Sequence, residues 1–70
     1  MNLDAAKREI FSHLKKPHHF YYKGSRNQIE EFDGMIIKCF PSIFLIETKD
    51  HQIKSFTYSD FIMKHFKILY

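Results

Sequence analysis

The chain has 70 residues, which allows one domain over residues 1–70, and its net charge of +3 makes it mildly basic. Eight Phe and four Tyr supply apolar area for a small core, and 44% hydrophobic with 27% charged residues is the composition of a folded globular protein and not of a disordered one. The single cysteine, Cys39, excludes an internal disulfide, and the Cys and His spacings do not fit a structural zinc site.

The N-terminal segment has the apolar spacing of an amphipathic helix. Apolar residues recur at intervals of three and four, at Leu3, Ala6, Ile10 and Leu14. This spacing predicts a helix over residues 3–14, which Asn2 or Asp4 can cap. Lys15 and Lys16 then fall at its C-terminal end, where the helix dipole favours cations, and Pro17 ends it.

The rest of the chain has the pattern of short β-strands. The predicted strands are residues 18–23, 28–40, 42–48, 53–58 and 65–70. Gly34 inside the second strand predicts a bulge or a sharp bend, and Ser59 or Asp60 can cap one helical turn before the last strand. The order predicts a mainly β fold, a small SH3-like five-stranded barrel over residues 18–70 behind the helix. Closure of the barrel would remove exposed strand edges.

Two segments resemble motifs of the Veg family of low-GC Gram-positive bacteria. In residues 33–46, DGMIIKCFPSIFLI, a Gly is followed after five residues by aromatic-Pro-Ser and an apolar-Phe-apolar strand. Residues 55–62, SFTYSDFI, resemble the family's aromatic-Ser-Tyr-x-Asp motif. The resemblance covers nearly the whole chain. It implies an SH3-like barrel behind a helix, and a non-enzymatic regulator that stimulates biofilm formation by acting on gene expression.

Catalytic, metal and cofactor chemistry are not expected from the residues. Cys39 stands beside Phe40 in an apolar strand, which favours an inert buried thiol. The neighbours His18 and His19 point to opposite faces of a regular strand, which disfavours a metal site. The chain has only two Gly, so it lacks a phosphate-binding Gly-rich loop. We therefore predict no enzymatic activity, no metal and no cofactor.

The compartment is predicted from what small secreted domains need. Such domains usually compensate for a thin core with several disulfides, which this chain cannot form. The first eight residues contain no apolar signal-peptide core, and no apolar run approaches the ~20 residues of a membrane helix. We therefore expect a cytoplasmic protein without membrane contact.

Basic residues are concentrated in the first part of the chain. The six cations are Lys7, Arg8, Lys15, Lys16, Lys23 and Arg26, against only Asp4 and Glu9. They predict a surface that binds an anionic partner, nucleic acid or a nucleic-acid-containing machine, with Tyr21 as a residue that could stack on bases. The alternative for the same residues is a solvated basic face with aromatic rings in the core.

A protein-interaction module without nucleic-acid contact is the competing interpretation. Small barrels bind partners through grooves and edges, and Phe66 or Tyr70 could anchor a protein of the gene-expression machinery if either is exposed. The sequence does not decide which partner is bound, or whether the chain forms a homodimer.

Overall fold

The computed structural model describes residues 1–70 and contains two helices and five strands. The helices are α1 (Leu3–Ser12) and α2 (Tyr58–Ile62), and the strands are β1 (Pro17–Lys23), β2 (Ile29–Cys39), β3 (Ile43–Thr48), β4 (Ile53–Thr57) and β5 (Phe66–Ile68). A 3-10 turn over Ser25–Asn27 joins β1 to β2. Neither helix is long and apolar enough to cross a membrane.

The five strands form one antiparallel sheet in the order β4-β3-β2-β1-β5. The mainly β prediction is therefore confirmed. The predicted closure is not, because the edge strands β4 and β5 do not hydrogen-bond to each other, and the sheet is barrel-like at most. Side chains join the two edges instead, with the rings of Phe56 and Phe66 centred 4.9 Å apart.

Nine buried apolar residues form the core between the sheet and the helices, and five of them are aromatic. They are Ala6, Ile10, Phe20, Ile36, Phe44, Ile46, Phe56, Tyr58 and Phe66. Large rings compensate for the small number of core residues, because each removes much apolar area from water. Helix α1 contributes only Ala6 and Ile10, one turn apart on its inner face.

Helix α1 begins where the sequence predicts and ends two residues earlier. The Asn2 side chain accepts a hydrogen bond from the Ala5 amide at 2.8 Å, which confirms it as a cap. Lys15 lies outside the helix, with a left-handed φ of 64°, and its amide donates to the Ile36 carbonyl at 2.7 Å. That bond attaches the linker to β2, so the helix dipole does not explain Lys15 and Lys16.

The two remaining local predictions were wrong in detail. The register is continuous at Gly34, which pairs with His18 and Thr48, and the irregularity lies between Ile36 and Lys38. Helix α2 is capped by Thr57, which lies before both residues named as caps. Its hydroxyl accepts from the Asp60 amide at 3.0 Å, and the Asp60 carboxylate accepts from the Thr57 amide at 3.4 Å.

Gly34 is required by the close approach of β3. A Cβ at this position would lie 2.6 Å from the Glu47 carbonyl oxygen, which is rigid backbone. We expect Gly34→Ala to lower the free energy of unfolding by about 1–3 kcal/mol, because the strands must separate to admit the methyl group. Urea denaturation will measure this. Gly24→Ala is the matched control, since its Cβ would meet nothing closer than 3.4 Å, and equal losses in the two variants would contradict the explanation.

Candidate functional site

The charges of this protein are paired unequally. Only one of the eleven Lys and Arg side chains, Lys54, lies within 4 Å of a carboxylate, with its Nζ 2.6 Å from Glu30 Oε1. Seven of the eight carboxylates have a partner. Only one of these partners is a lysine, and the others are histidine side chains, one hydroxyl and one backbone amide. The seven are Glu9, Glu30, Glu31, Asp33, Glu47, Asp50 and Asp60. Ten cations are therefore left without an acidic neighbour.

The six cations singled out from the sequence lie at three places. Lys7 and Arg8 are on α1, and Lys15 and Lys16 are exposed in the linker. The last two are exposed at the other end of β1, where Lys23 is the last residue of the strand and Arg26 lies in the 3-10 turn that follows. Because β1 has seven residues, about 20 Å of strand separates the last pair, Lys23 and Arg26, from the linker. The six cations therefore do not form one continuous surface.

One groove brings basic and aromatic side chains together. It lies between α1 and the β2–β3 turn, has a volume of about 390 Å³, and is called the basic groove below. Its lining residues are Lys7, Arg8, Phe11, Ser12, Cys39, Phe40 and Tyr58. A hydrogen bond from the Tyr58 hydroxyl to the Phe40 carbonyl, 2.8 Å long, fixes the turn against the core.

Two of the aromatic residues in the basic groove are exposed, which is unusual for rings of this size. Phe11 is 63% exposed and Phe40 is 38% exposed. Lys38 Nζ lies 5.3 Å from the ring centre of Phe40, and Lys7 Nζ lies 5.9 Å from that of Tyr58, both within cation–π range. The groove therefore presents positive charge beside aromatic surface.

The basic groove is also the only one of five surface depressions whose lining contains no carboxylate. Each of the other four contains at least one acidic side chain, and one on the β3–β4 side contains Glu30, Glu31, Asp33 and Asp50. Burial, reinforced by the Cys39 thiol, raises the pKa of Tyr58 to about 12, so its phenol is neutral at physiological pH. An anion in the groove would meet no carboxylate in its lining.

Sequence reasoning identified Lys7 and Arg8 but missed three other residues of this region. Phe11 lies beside the apolar spacing that predicts α1, directly after the buried Ile10, and its ring is exposed instead of joining the core. Lys38 and Phe40 were treated as parts of a strand. Their separation by two residues places them on the same side of the chain, and this signal could have indicated a basic-aromatic pair.

The other predicted contact residues have different environments. Phe66 is completely buried, because it is the core residue of β5, so it is not a surface contact. Tyr70 is 78% exposed and stacks on His19, with the ring centres 5.1 Å apart. Tyr21 is half-buried, and Lys67 Nζ lies 5.1 Å above its ring. Exposure, the condition set for a partner anchor, is met at Tyr70 alone.

The three histidines near the linker do not converge on one point. His18 Nε2 lies 3.0 Å from His13 Nδ1, whereas His19 contacts carboxylates across β1 and β2. No group of three or more His, Cys, Asp or Glu side chains is placed to hold a metal ion.

Stability should depend on pH through His19. Its Nδ1 lies 2.7 Å from Asp33 and its Nε2 2.9 Å from Glu31, and the two hydrogen bonds raise the pKa of His19 above 6.5. The imidazolium is thus favoured in the folded state, so this stabilisation is complete below pH 6.5 and is lost as pH rises through the folded pKa. We expect the urea midpoint of the wild type to fall over that window more than that of His19→Gln. Parallel pH profiles would contradict this.

Comparison with known proteins agrees with the motifs. The family model described as biofilm formation stimulator Veg matches residues 1–69, which include both helices and all five strands. None of the curated proteins compared with the chain matches it. The match extends over almost the full length and includes every lining residue of the basic groove. The chain therefore belongs to the Veg family, which implies a small regulatory protein related to biofilm formation.

Proposed function

We propose that the protein is a non-enzymatic regulator that influences gene expression by binding nucleic acid, or a machine that contains it. The observation that carries this proposal is the set of ten Lys and Arg side chains without a carboxylate partner. Such cations are free to replace the counterions around phosphates, and the release of those counterions drives association. The basic groove is the proposed centre of contact, because it alone combines free cations with a lining that lacks acids.

The remaining cations extend the proposed contact. The Lys15 amide is bonded to Ile36, two residues before Lys38 in β2, so the linker with Lys16 is a second basic site near Lys38. Lys23 and Arg26 lie about 20 Å further along β1, a distance that corresponds to roughly six base pairs. A short oligonucleotide would therefore engage the groove and linker. A longer one would reach both ends of β1 and pass Tyr21, which lies within that strand.

The salt dependence of binding tests the proposal directly. Fluorescence anisotropy with a labelled oligonucleotide should be measured over a series of NaCl concentrations. Each neutralised phosphate adds about 0.7–0.9 to the log–log slope, so contacts from Lys7, Arg8 and Lys38 predict a slope of roughly 2–3. Affinity that does not change with ionic strength would contradict the proposal.

A protein-interaction module without nucleic-acid contact is the second candidate, favoured by the exposed ring of Tyr70. Exposed aromatic residues are common anchors in protein interfaces. Charge reversal at Lys15 and Lys16 separates the two candidates, because it should weaken nucleic-acid binding and spare an apolar protein contact at Tyr70. Affinity pull-down from lysate with and without nuclease gives a second test. Partners lost on nuclease treatment support the first candidate, and partners retained support the second.

A further inference from the structure

We infer that the basic groove accepts an unpaired base, so that the preferred ligand is single-stranded RNA. This inference rests on the proposed function and specifies which form of nucleic acid the groove selects. It follows from the exposed aromatic rings, because the cations alone would bind duplex and single strands without distinction.

The first step concerns what the rings can contact. The bases of a duplex are paired and stacked, and they present only their edges in the grooves, whereas the bases of single strands can stack on aromatic side chains. Phe11 projects from α1 and Phe40 from the β2–β3 turn, and both line the same groove. The volume of about 390 Å³ lies within the range of pockets that hold small organic ligands.

The second step concerns the phosphates that flank such a base. Lys7 and Arg8 occupy the α1 wall of the groove, and Lys38 lies over the Phe40 ring on the opposite side. A base between the two walls would place its neighbouring phosphates near cations that have no carboxylate partner. Alternating aromatic and basic side chains are the usual composition of single-strand binding surfaces.

The third step distinguishes RNA from DNA as the source of the single strand. DNA is normally double-stranded, whereas RNA exposes unpaired bases in loops, bulges and ends. A groove built for one unpaired base therefore fits RNA, and a DNA strand of the same sequence serves as the comparison.

The test compares binding of one labelled 12-nucleotide RNA as a single strand and as a duplex. Phe11→Ala combined with Phe40→Ala should weaken single-strand binding by about 5- to 150-fold, the range for loss of a stacked base, and leave duplex binding within about twofold. Ile53→Ala removes an exposed apolar side chain on β4, outside the groove and away from Lys23 and Arg26, and should change neither. Circular dichroism and thermal melting establish that each variant is folded, and Phe11→Ala alone replaces the double variant if that one unfolds.

A second measurement needs no substitution. Cys39 is the only cysteine, lines the groove, and is half-buried instead of fully buried as its strand position predicts. The single strand should therefore slow its alkylation by iodoacetamide, and the duplex should not. Equal affinity for both forms, with unchanged binding by the Phe variants, would overturn the inference and leave the proposed function standing. Tighter binding of the DNA strand would overturn the assignment to RNA. Failure to bind any nucleic acid at low salt would overturn both proposals.

Discussion

Replacing Phe66 with alanine will lower the free energy of unfolding by about 3–5 kcal/mol, the range for removal of a buried aromatic ring. Phe66 is the fully buried residue of β5, and its ring centre lies 5.4 Å from that of Phe20, 5.1 Å from Phe44 and 4.9 Å from Phe56. It therefore connects both edges of an open sheet. A domain of this size has a stability near the lower end of roughly 5–15 kcal/mol, so the variant should be largely unfolded.

Urea denaturation followed by circular dichroism measures this loss. Phe11→Ala is the matched control, because it makes the same chemical change at an exposed ring and should alter stability by no more than about 0.5 kcal/mol. If Phe66→Ala retained the wild-type urea midpoint, the edges of the sheet would be joined by something other than this ring.

Local features of this fold could be predicted from the sequence. The spacing from Leu3 to Ile10 and the cap at Asn2 predict correctly where α1 begins, since both signals depend on neighbours within one or two turns. All five strands were found within a few residues of their ends, because alternation and turn residues are local signals too. The family resemblance was confirmed for the same reason, since its motifs are short and contiguous.

Features that depend on distant contacts could not be predicted. The sequence predicts a bulge or bend at Gly34 because Gly commonly marks such features in strands. The structure shows instead that a glycine is needed there because the Glu47 carbonyl, thirteen residues further on, leaves no room for a Cβ. Closure was inferred from the number of strands, whereas it depends on whether β4 and β5 meet, and no local pattern encodes that. The burial of Phe66 follows from three rings contributed by three other strands.

The candidate site shows the same division. Lys7 and Arg8 stand out as charges in a linear sequence, so they were found. Phe11 and Phe40 are separated by 29 positions, and only the packing of α1 beside the β2–β3 turn places them in one groove. The sequence also does not show that most cations lack a carboxylate partner. That depends on carboxylates such as Asp33 being paired with His19 on the neighbouring strand.

Charge reversal in the basic groove should have the largest effect on binding. We expect Lys7→Glu combined with Arg8→Glu to weaken nucleic-acid affinity at least ~100-fold and to reduce the salt slope by about 2, because two attractive contacts become repulsive. Anisotropy titrations with the same oligonucleotide measure both quantities. Stability should fall by no more than about 1 kcal/mol, because Arg8 is exposed, half-buried Lys7 loses only its cation–π contact with Tyr58, and neither has a carboxylate partner.

The decisive control is Lys49→Glu combined with Lys64→Glu. Both lysines are exposed and unpaired and lie outside the groove, and the two double variants shift the net charge equally, from +3 to −1. A partner attracted only by overall charge would lose the same affinity in both variants. A partner held in the groove would lose most of its affinity only when Lys7 and Arg8 are reversed, because Lys49 and Lys64 do not line it and salt screens charges that are not in direct contact with the partner. Equal losses would therefore reject the groove while retaining the electrostatic attraction.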